Sequence, residues 1–165
     1  MKIWLTTDTH FNHKKIIEYG RPENFEELIW KGLEVVKEED MLIHLGDVCI
    51  GEDDKMNLHF NASINGKKIL VLGNHDNKSI KYYLEHGWDF VCKRFDIKMF
   101  GKRIAFTHQP EAWDGYFDVN IHGHFHNTDG RRQPDFDEKI MSGYNKLLAL
   151  EYTDYKPVLL GKFIN

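Results

Sequence analysis

This chain of 165 residues carries only two cysteines, Cys49 and Cys92. A lone pair in a chain of this size is no disulfide framework. Both follow hydrophobic residues, so both are expected to be buried free thiols. No apolar run approaches the length that spans a bilayer, and no membrane role is expected. The apolar opening Lys2-Ile3-Trp4-Leu5 reaches Asp8 before the apolar region of a signal peptide could form. The expected location is therefore the cytoplasm. A basic excess is also missing: the net charge is −4 with histidine neutral. That removes the global signature of nucleic-acid binding, though it leaves room for a local basic patch. Internal repeats, linkers and low-complexity tracts are absent from the sequence.

What is present fits an ordinary globular protein, with 41% apolar and 29% charged residues. The length predicts one domain, residues 1–165, built on one core. It says nothing of oligomeric state, although a homodimer is the common arrangement for a compact enzyme. The unusual feature is the ten histidines, at positions 10, 13, 44, 59, 75, 86, 108, 122, 124 and 126.

Short apolar runs predict strands over residues 2–7, 41–45 and 68–72. The spacing of Phe25, Leu28, Ile29, Leu33 and Val36 predicts a helix over 23–37, with Asn24 and Glu27 resembling a capping box. A weaker helix is expected over 54–63, followed by a turn at Asn65-Gly66. Another helix is expected over 79–86, with Ile80, Tyr83 and Leu84 inward and Gly87 as its stop. Residues 96–100 and 103–107 predict a hairpin joined at Gly101. A short strand is expected over 119–122, a polar loop over 128–139, a last strand over 147–152 and a turn at Lys156-Pro157. Strands and helices alternate early and strands dominate late, which favours a layered α/β fold.

Five of these strands run into Asp, Asn or His. Thr7 is followed by Asp8-Thr9-His10, Leu45 by Gly46-Asp47, Leu72 by Gly73-Asn74-His75-Asp76, Phe106 by Thr107-His108, and Ile121 by His122-Gly123-His124-Phe125-His126. In open α/β sheets the functional crevice lies beyond the carboxyl ends of the strands, so these groups are expected to meet there. Asp8 and His10 are two apart, as are His124 and His126, so extended backbone would point each pair one way. The glycines at 46, 73 and 123 permit close approach. Imidazoles mixed with carboxylates and an amide suit first-row metals: Mn, Fe, Co, Ni or Zn. Seven side chains (Asp8, His10, Asp47, Asn74, His108, His124 and His126) exceed one four-coordinate ion and suit two divalent ions sharing a carboxylate. Two such ions carry four positive charges against the two negative charges of Asp8 and Asp47. The deficit argues for an anionic ligand such as a phosphate ester.

On these residues the chain resembles the calcineurin-like metallophosphoesterases. The motifs are D-x-H (Asp8, His10), G-D (Gly46, Asp47), G-N-H-D (Gly73 to Asp76), a strand-end histidine (His108) and G-H-x-H (Gly123 to His126), in the family's order. Each alone is weak, and together they span most of the chain. The resemblance implies a two-sheet β-sandwich with helices on its outer faces and a metal site at the carboxyl ends of strands. It implies that Asp8, His10 and His126 hold one metal, that Asn74, His108 and His124 hold the other, and that Asp47 bridges them. His75 matches a catalytic histidine near the phosphate, with Asp76 orienting His75 or the turn. The implied chemistry is in-line attack on phosphorus by a metal-bridging hydroxide, manganese being the ion expected first and Fe, Ni, Co or Zn fitting as well. The expected substrate is a small phosphodiester. The alternatives are a phosphomonoesterase or nucleotide hydrolase on the same site, a nuclease needing a basic groove, and a non-enzymatic interaction scaffold, which would typically have lost such positions. The D-R-G that follows the second motif in protein Ser/Thr phosphatases is replaced here by VCIGEDD, which argues against a phosphoprotein phosphatase.

Other residues carry two readings each. Asn12 and His13 either line the substrate mouth or begin a solvated helix. Arg21 and the pair Arg131-Arg132 are either phosphate contacts or solvated loop charges. His44 suits packing or support of the site better than ligation. His122 is either at the site's outer edge or a half-buried strand residue. Trp113, Tyr116 and Phe117 either flank a leaving group or pack an irregular loop. His59 and His86 read as surface residues.

Overall fold

The computed structural model describes residues 1–127 and 143–165. Two sheets face one another. The first has the order β4-β3-β2-β1-β9, from β1 (Ile3–Thr6), β2 (Met41–His44), β3 (Lys67–Val71), β4 (Phe90–Cys92) and β9 (Val158–Leu159). The second has the order β5-β6-β7-β8, from β5 (Arg94–Met99), β6 (Lys102–Thr107), β7 (Val119–His122) and β8 (Asn145–Leu147). Strands β1 to β4 are mutually parallel and β9 runs against β1. In the second sheet β6, β7 and β8 are parallel and β5 is antiparallel to β6.

Side chains alternate along each strand and so divide the apolar residues into two cores. Leu5, Ile43 and Val71 point between the sheets, against Ile104, Phe106 and Ile121. Their neighbours Trp4, Leu42 and Leu70 point outward, where they meet Phe25, Ile29 and Leu33 of α1 (Phe25–Leu33), Phe60 of α2 (Asp53–Ser63) and Tyr83 of α3 (Ile80–Glu85). The first sheet is thus buried on both faces, as parallel sheets generally are. The segment 109–118 lies on the second sheet's other face. There Asn120 Oδ1 accepts from Glu111 N at 3.0 Å, and Phe117 is fully buried.

Several local expectations change. α1 is shorter than the periodicity predicts, and Asn24 makes no side-chain cap, so the capping box does not form. In α3 the Ser79 hydroxyl caps Tyr82 N at 3.1 Å. Tyr83 is buried, but Ile80 and Leu84 are each 45% exposed, since only one side of this six-residue helix meets the core. The expected last strand over 147–152 is divided. β8 stops at Leu147, and the chain leaves it for a 3-10 turn at Leu150–Tyr152 that buries Leu150. Strands β4 and β9, helix α4 (Leu160–Ile164) and the 3-10 turn Lys14–Tyr19 have no counterpart in the sequence pattern. They are two to six residues long, too short to show a period. The loop expected over 128–139, with Arg131 and Arg132, lies outside the described residues. Among the described residues no helix is long and apolar enough to cross a membrane.

Candidate metal centre

Strands β1, β2, β3, β6 and β7 all end at one edge of the two-sheet body, and the five motifs meet there. The segments following β1 and β2 stay paired after the strands stop. Asp8 N donates to Gly46 O at 2.9 Å, His10 N to Asp47 O at 3.0 Å and Phe11 N to Val48 O at 3.0 Å. Asp8 and His10 do face the same way, but not through extended backbone. Their φ angles are +46° and +48°, and those of Asp47, His124 and His126 are +58°, +71° and +50°. Five of the seven expected ligands thus occupy left-handed backbone. Asp and His tolerate it better than most residues, but each instance is strained, and strain of this kind gathers at functional sites. Thr9, between Asp8 and His10, is fully buried and turned away, accepting from His44 Nε2 at 2.9 Å and donating to Val48 O at 2.8 Å. Gly46 N donates to the other ring nitrogen of His44 at 3.1 Å, so His44 is a structural residue with both nitrogens engaged.

Two sets of donor atoms form, Asp8 with His10 and His126, and Asp47 with His108 and His124, each set within 4.8 Å of one another. Oδ2 of Asp47 lies 3.6 Å from His10 Nε2 and 3.3 Å from His108 Nε2, facing both sets. Asn74 Oδ1 joins the second set, 2.9 Å from His108 Nε2, and His124 Nδ1 lies 3.1 Å from the same nitrogen. The sets are interleaved: His124 and His126, two residues apart, serve different ones.

The carboxylates are held by one oxygen each. Asp8 Oδ2 accepts from Thr7 Oγ1 at 2.6 Å and His124 N at 3.0 Å. Among the described residues, its Oδ1 is buried without a hydrogen-bond partner, as are both ring nitrogens of His10. Asp47 Oδ1 accepts from His75 N at 2.8 Å. Buried polar atoms without partners are costly, and here they converge with imidazole and carboxylate donors, which is the arrangement divalent cations require. The residues therefore fit two metal ions. Close approach depends on Gly73 and Gly123. A Cβ on Gly73 would lie 2.1 Å from Asp47 Oδ1, and one on Gly123 would lie 2.3 Å from Asp8 Oδ2.

Protonation follows the same logic. Burial pushes His10 down to about 4, so it is neutral at pH 7 and free to donate its lone pair. Burial also lowers His124. For His108 burial acts downward but is outweighed by the Asp47 and Asp8 carboxylates, and the group is raised to about 9. Asp8, which burial would raise, is held well below its ordinary range by the surrounding histidines. An anionic centre that gathers protons onto an imidazole is a centre suited to cations.

Neighbours fix the ligands. His108 Nδ1 donates to Leu45 O at 2.7 Å, leaving Nε2 toward Asp47. His126 Nδ1 lies 3.1 Å from Glu151 Oε1, which also accepts from Arg21 Nε at 2.8 Å. Arg21 is 3% exposed and donates further to Asp8 O and Thr9 O. Its placement corrects the expectation of a phosphate contact: its donors are engaged within the protein, beneath the centre. Asp76, expected to orient His75 or the turn, holds the turn. It is buried, and it accepts from Asp47 N at 2.7 Å, Gly73 N at 2.8 Å and Val48 N at 3.2 Å, tying two ligand-bearing turns together. Burial and the nearby Asp47 raise it to about 6. His75 is exposed, its ring 5.4 Å from that of His10 and 6.5 Å from that of His13. Asn12 is exposed at the mouth with φ +67°, its N–H donating to Glu26 Oε1. His122 is fully buried, with Nδ1 donating to Gly123 O at 2.9 Å, and does not reach the donor sets. Trp113 and Tyr116 are exposed on the 109–118 segment, while Phe117 is core. Sequence reasoning missed Glu151 and Thr7, because neither belongs to a motif. Thr7 adjoins Asp8, but Glu151 is brought in from 25 residues beyond His126 by the second sheet.

A two-sheet body with histidine and carboxylate donors gathered into two adjoining sets at strand ends is the architecture of a metal-dependent phosphoesterase. The chain belongs to the calcineurin-like phosphoesterases, a family of metal-dependent hydrolases whose pattern (Metallophos) matches residues 1–157. It is 32% identical to the uncharacterized protein MJ1445 of Methanocaldococcus jannaschii over 175 aligned positions, covering 99% of this chain and 89% of that one. The crystal structure of AQ665 from Aquifex aeolicus, a protein of unknown function, superposes with a TM-score of 0.75 at 29% identity, over 98% of this chain and 96% of that one. Nuclease MPE of Pseudomonas putida superposes with a TM-score of 0.50 at 18% identity, over 75% of this chain and 61% of that one, and bears on the fold alone.

Proposed function

We propose that this chain hydrolyses phosphodiesters. Asp8, His10 and His126 would hold one divalent ion and Asn74, His108 and His124 the other, with Asp47 shared. The donor set has no thiolate, and manganese is the ion proposed, with iron, cobalt, nickel and zinc in the same class. Two such ions supply an acidified water and positive charge for the phosphoryl oxygens.

The chain's own contribution centres on His75. Its backbone is anchored to Asp47, so its ring is placed beside the centre while remaining open to substrate. Protonated, it donates to the leaving oxygen, a role worth about 10²–10⁴-fold. Asp76 holds the turn that presents it.

The observation that carries the diester reading is room on both sides. Clefts of about 650 and 590 Å³ flank the Asn74–His75 turn, one toward Gly51 to Lys55 and the other toward Gln109 and Pro110. A diester has substituents for both, whereas a monoester fills one. The test is hydrolysis of bis(p-nitrophenyl) phosphate against p-nitrophenyl phosphate by metal-loaded protein. A diester preference, with His75→Ala lowering kcat about 10²–10⁴-fold at unchanged metal content, supports the reading. A monoester preference replaces it with phosphomonoesterase activity.

A further inference from the structure

The two clefts beside the Asn74–His75 turn differ in charge. The one toward Gly51 to Lys55 is lined by Glu52, Asp53 and Asp54, and its Lys55 is paired with Glu52 at 2.9 Å. The other extends from Asn74 and His108 to Lys93 and Gln109, and Lys78 stands between the two clefts and lines both. Strand β4 lies parallel to β3, so its carboxyl end opens at the same edge as Asn74, and Lys93 follows directly after Cys92. It is a sixth strand end bearing a polar group at this edge, this time a cation that lines the cleft. Lys93 is exposed and makes no ion pair among the described residues. Lys78 Nζ comes only within 3.7 Å of Asp53 Oδ2, a loose and exposed contact. The carboxylates lining this cleft do not offset them: Glu111 is paired with Arg94, and Asp76 is buried beneath three backbone N–H groups.

We infer that this cleft receives a second phosphoryl group, so that the substrate is a phosphodiester bearing a further phosphate one linkage from the scissile one, on the Lys93 side. The inference rests on the phosphodiesterase reading above and adds a direction to it. Lysine is a point charge on a flexible stem, suited to an oxyanion whose exact angle varies, and a cleft of one sign concentrates the opposite charge. The far cleft, with three carboxylates, repels the same group. Gln109 joins the Lys93-side cleft to the donor sets: its backbone carbonyl accepts from Thr107 Oγ1 at 2.6 Å, and its side-chain amide nitrogen lies 3.4 Å from His124 Nε2.

The test uses two matched esters, the p-nitrophenyl ester of thymidine 5′-phosphate and the same ester carrying a 3′-phosphate. The full-length manganese-loaded protein is expected to show a higher kcat/KM on the 3′-phosphorylated ester. Lys93→Ala and Lys78→Ala should each reduce the ratio of the two values about two- to fivefold, as exposed charge contacts do, mainly through KM, and 0.5 M salt should reduce it further. A ratio near one in the unaltered protein, or one that the Lys78→Ala/Lys93→Ala double variant leaves unchanged, overturns the inference. A second arm measures calorimetric binding of thymidine 3′,5′-bisphosphate against thymidine 5′-monophosphate. If neither ester is hydrolysed but the bisphosphate binds more tightly and loses that advantage in the double variant, the anion subsite stands and the phosphodiesterase reading falls. Equal binding of the two nucleotides, with no turnover, overturns both.

Discussion

Glu151 Oε1 stands 3.1 Å from Nδ1 of His126, joining a 3-10 turn near the end of the chain to a ligand set that begins at Asp8. Arg21 holds the same oxygen and keeps the carboxylate ionised; although burial acts upward, His126 and Arg21 bring Glu151 down to about 2. A histidine whose far nitrogen donates to a carboxylate is fixed in orientation, with its other nitrogen turned to the donor set. Glu151→Gln keeps the shape and removes the charge. It should weaken one of two metal equivalents about 10–100-fold and leave the other unchanged. Calorimetric titration of metal into stripped protein checks this, and equal loss at both equivalents would contradict it.

Metal binding should release a proton. In stripped protein His108, raised to about 9, is protonated at pH 7 against Asp47 and must lose that proton to donate its lone pair. Titrations in buffers of different ionisation heat should show about one proton released per protein at pH 7 and a smaller number near pH 9. The sign for stability is the reverse of an acid's. The raised value means the His108–Asp47 contact is fully present below 6.5 and lost as pH rises through about 9. The thermal midpoint of stripped protein should therefore fall across that window, and the fall should vanish in His108→Gln.

Asp76→Ala separates a structural role from a catalytic one. It leaves three buried N–H groups, of Asp47, Gly73 and Val48, without their acceptor. At about 1–3 kcal/mol for each unsatisfied group, the fold should lose several kcal/mol in denaturant melts. A variant of unchanged stability with selectively reduced kcat would return Asp76 to the catalytic group.

Both thiols should be silent in the folded protein. Cys49 is buried, and burial, followed by the nearby Asp53, pushes its thiol far above the ordinary range. Cys92 is half-buried rather than buried as expected, and what burial it has raises its thiol to about 11, leaving about one thiolate in a thousand at pH 8. Aromatic disulfide reagents should label neither within minutes at pH 8 and both in denaturant. Fast stoichiometric labelling of native protein would show that one of them is reached by solvent.

That the seven expected positions meet at one edge could be read from the sequence because parallel strands place their carboxyl ends together, and a polar group after each apolar run marks that edge. The long strands and the hairpin at Phe100-Gly101 were readable for the same reason, since period and turn chemistry agree. What escaped was set by tertiary contact. Nothing about Glu151 in Leu150-Glu151-Tyr152 announces a partner 25 residues away. Arg21, beside a proline, reads as a loop charge until the fold buries it against Glu151. The extended geometry expected for Asp8-Thr9-His10 failed because pairing with the segment after Asp47 imposes left-handed backbone at both ligands. Strands as short as β4 and β9 have no period to detect, yet β4 is what carries Lys93 to the site.

The most direct measurement is diester turnover by stripped protein as manganese is added in known equivalents, beside Asp47→Asn. If Asp47 Oδ2 serves both donor sets, activity should rise to a plateau at two equivalents, and the variant should lose both turnover and tight binding of the second ion. A plateau at one equivalent, or full activity in Asp47→Asn, would contradict a shared dinuclear centre.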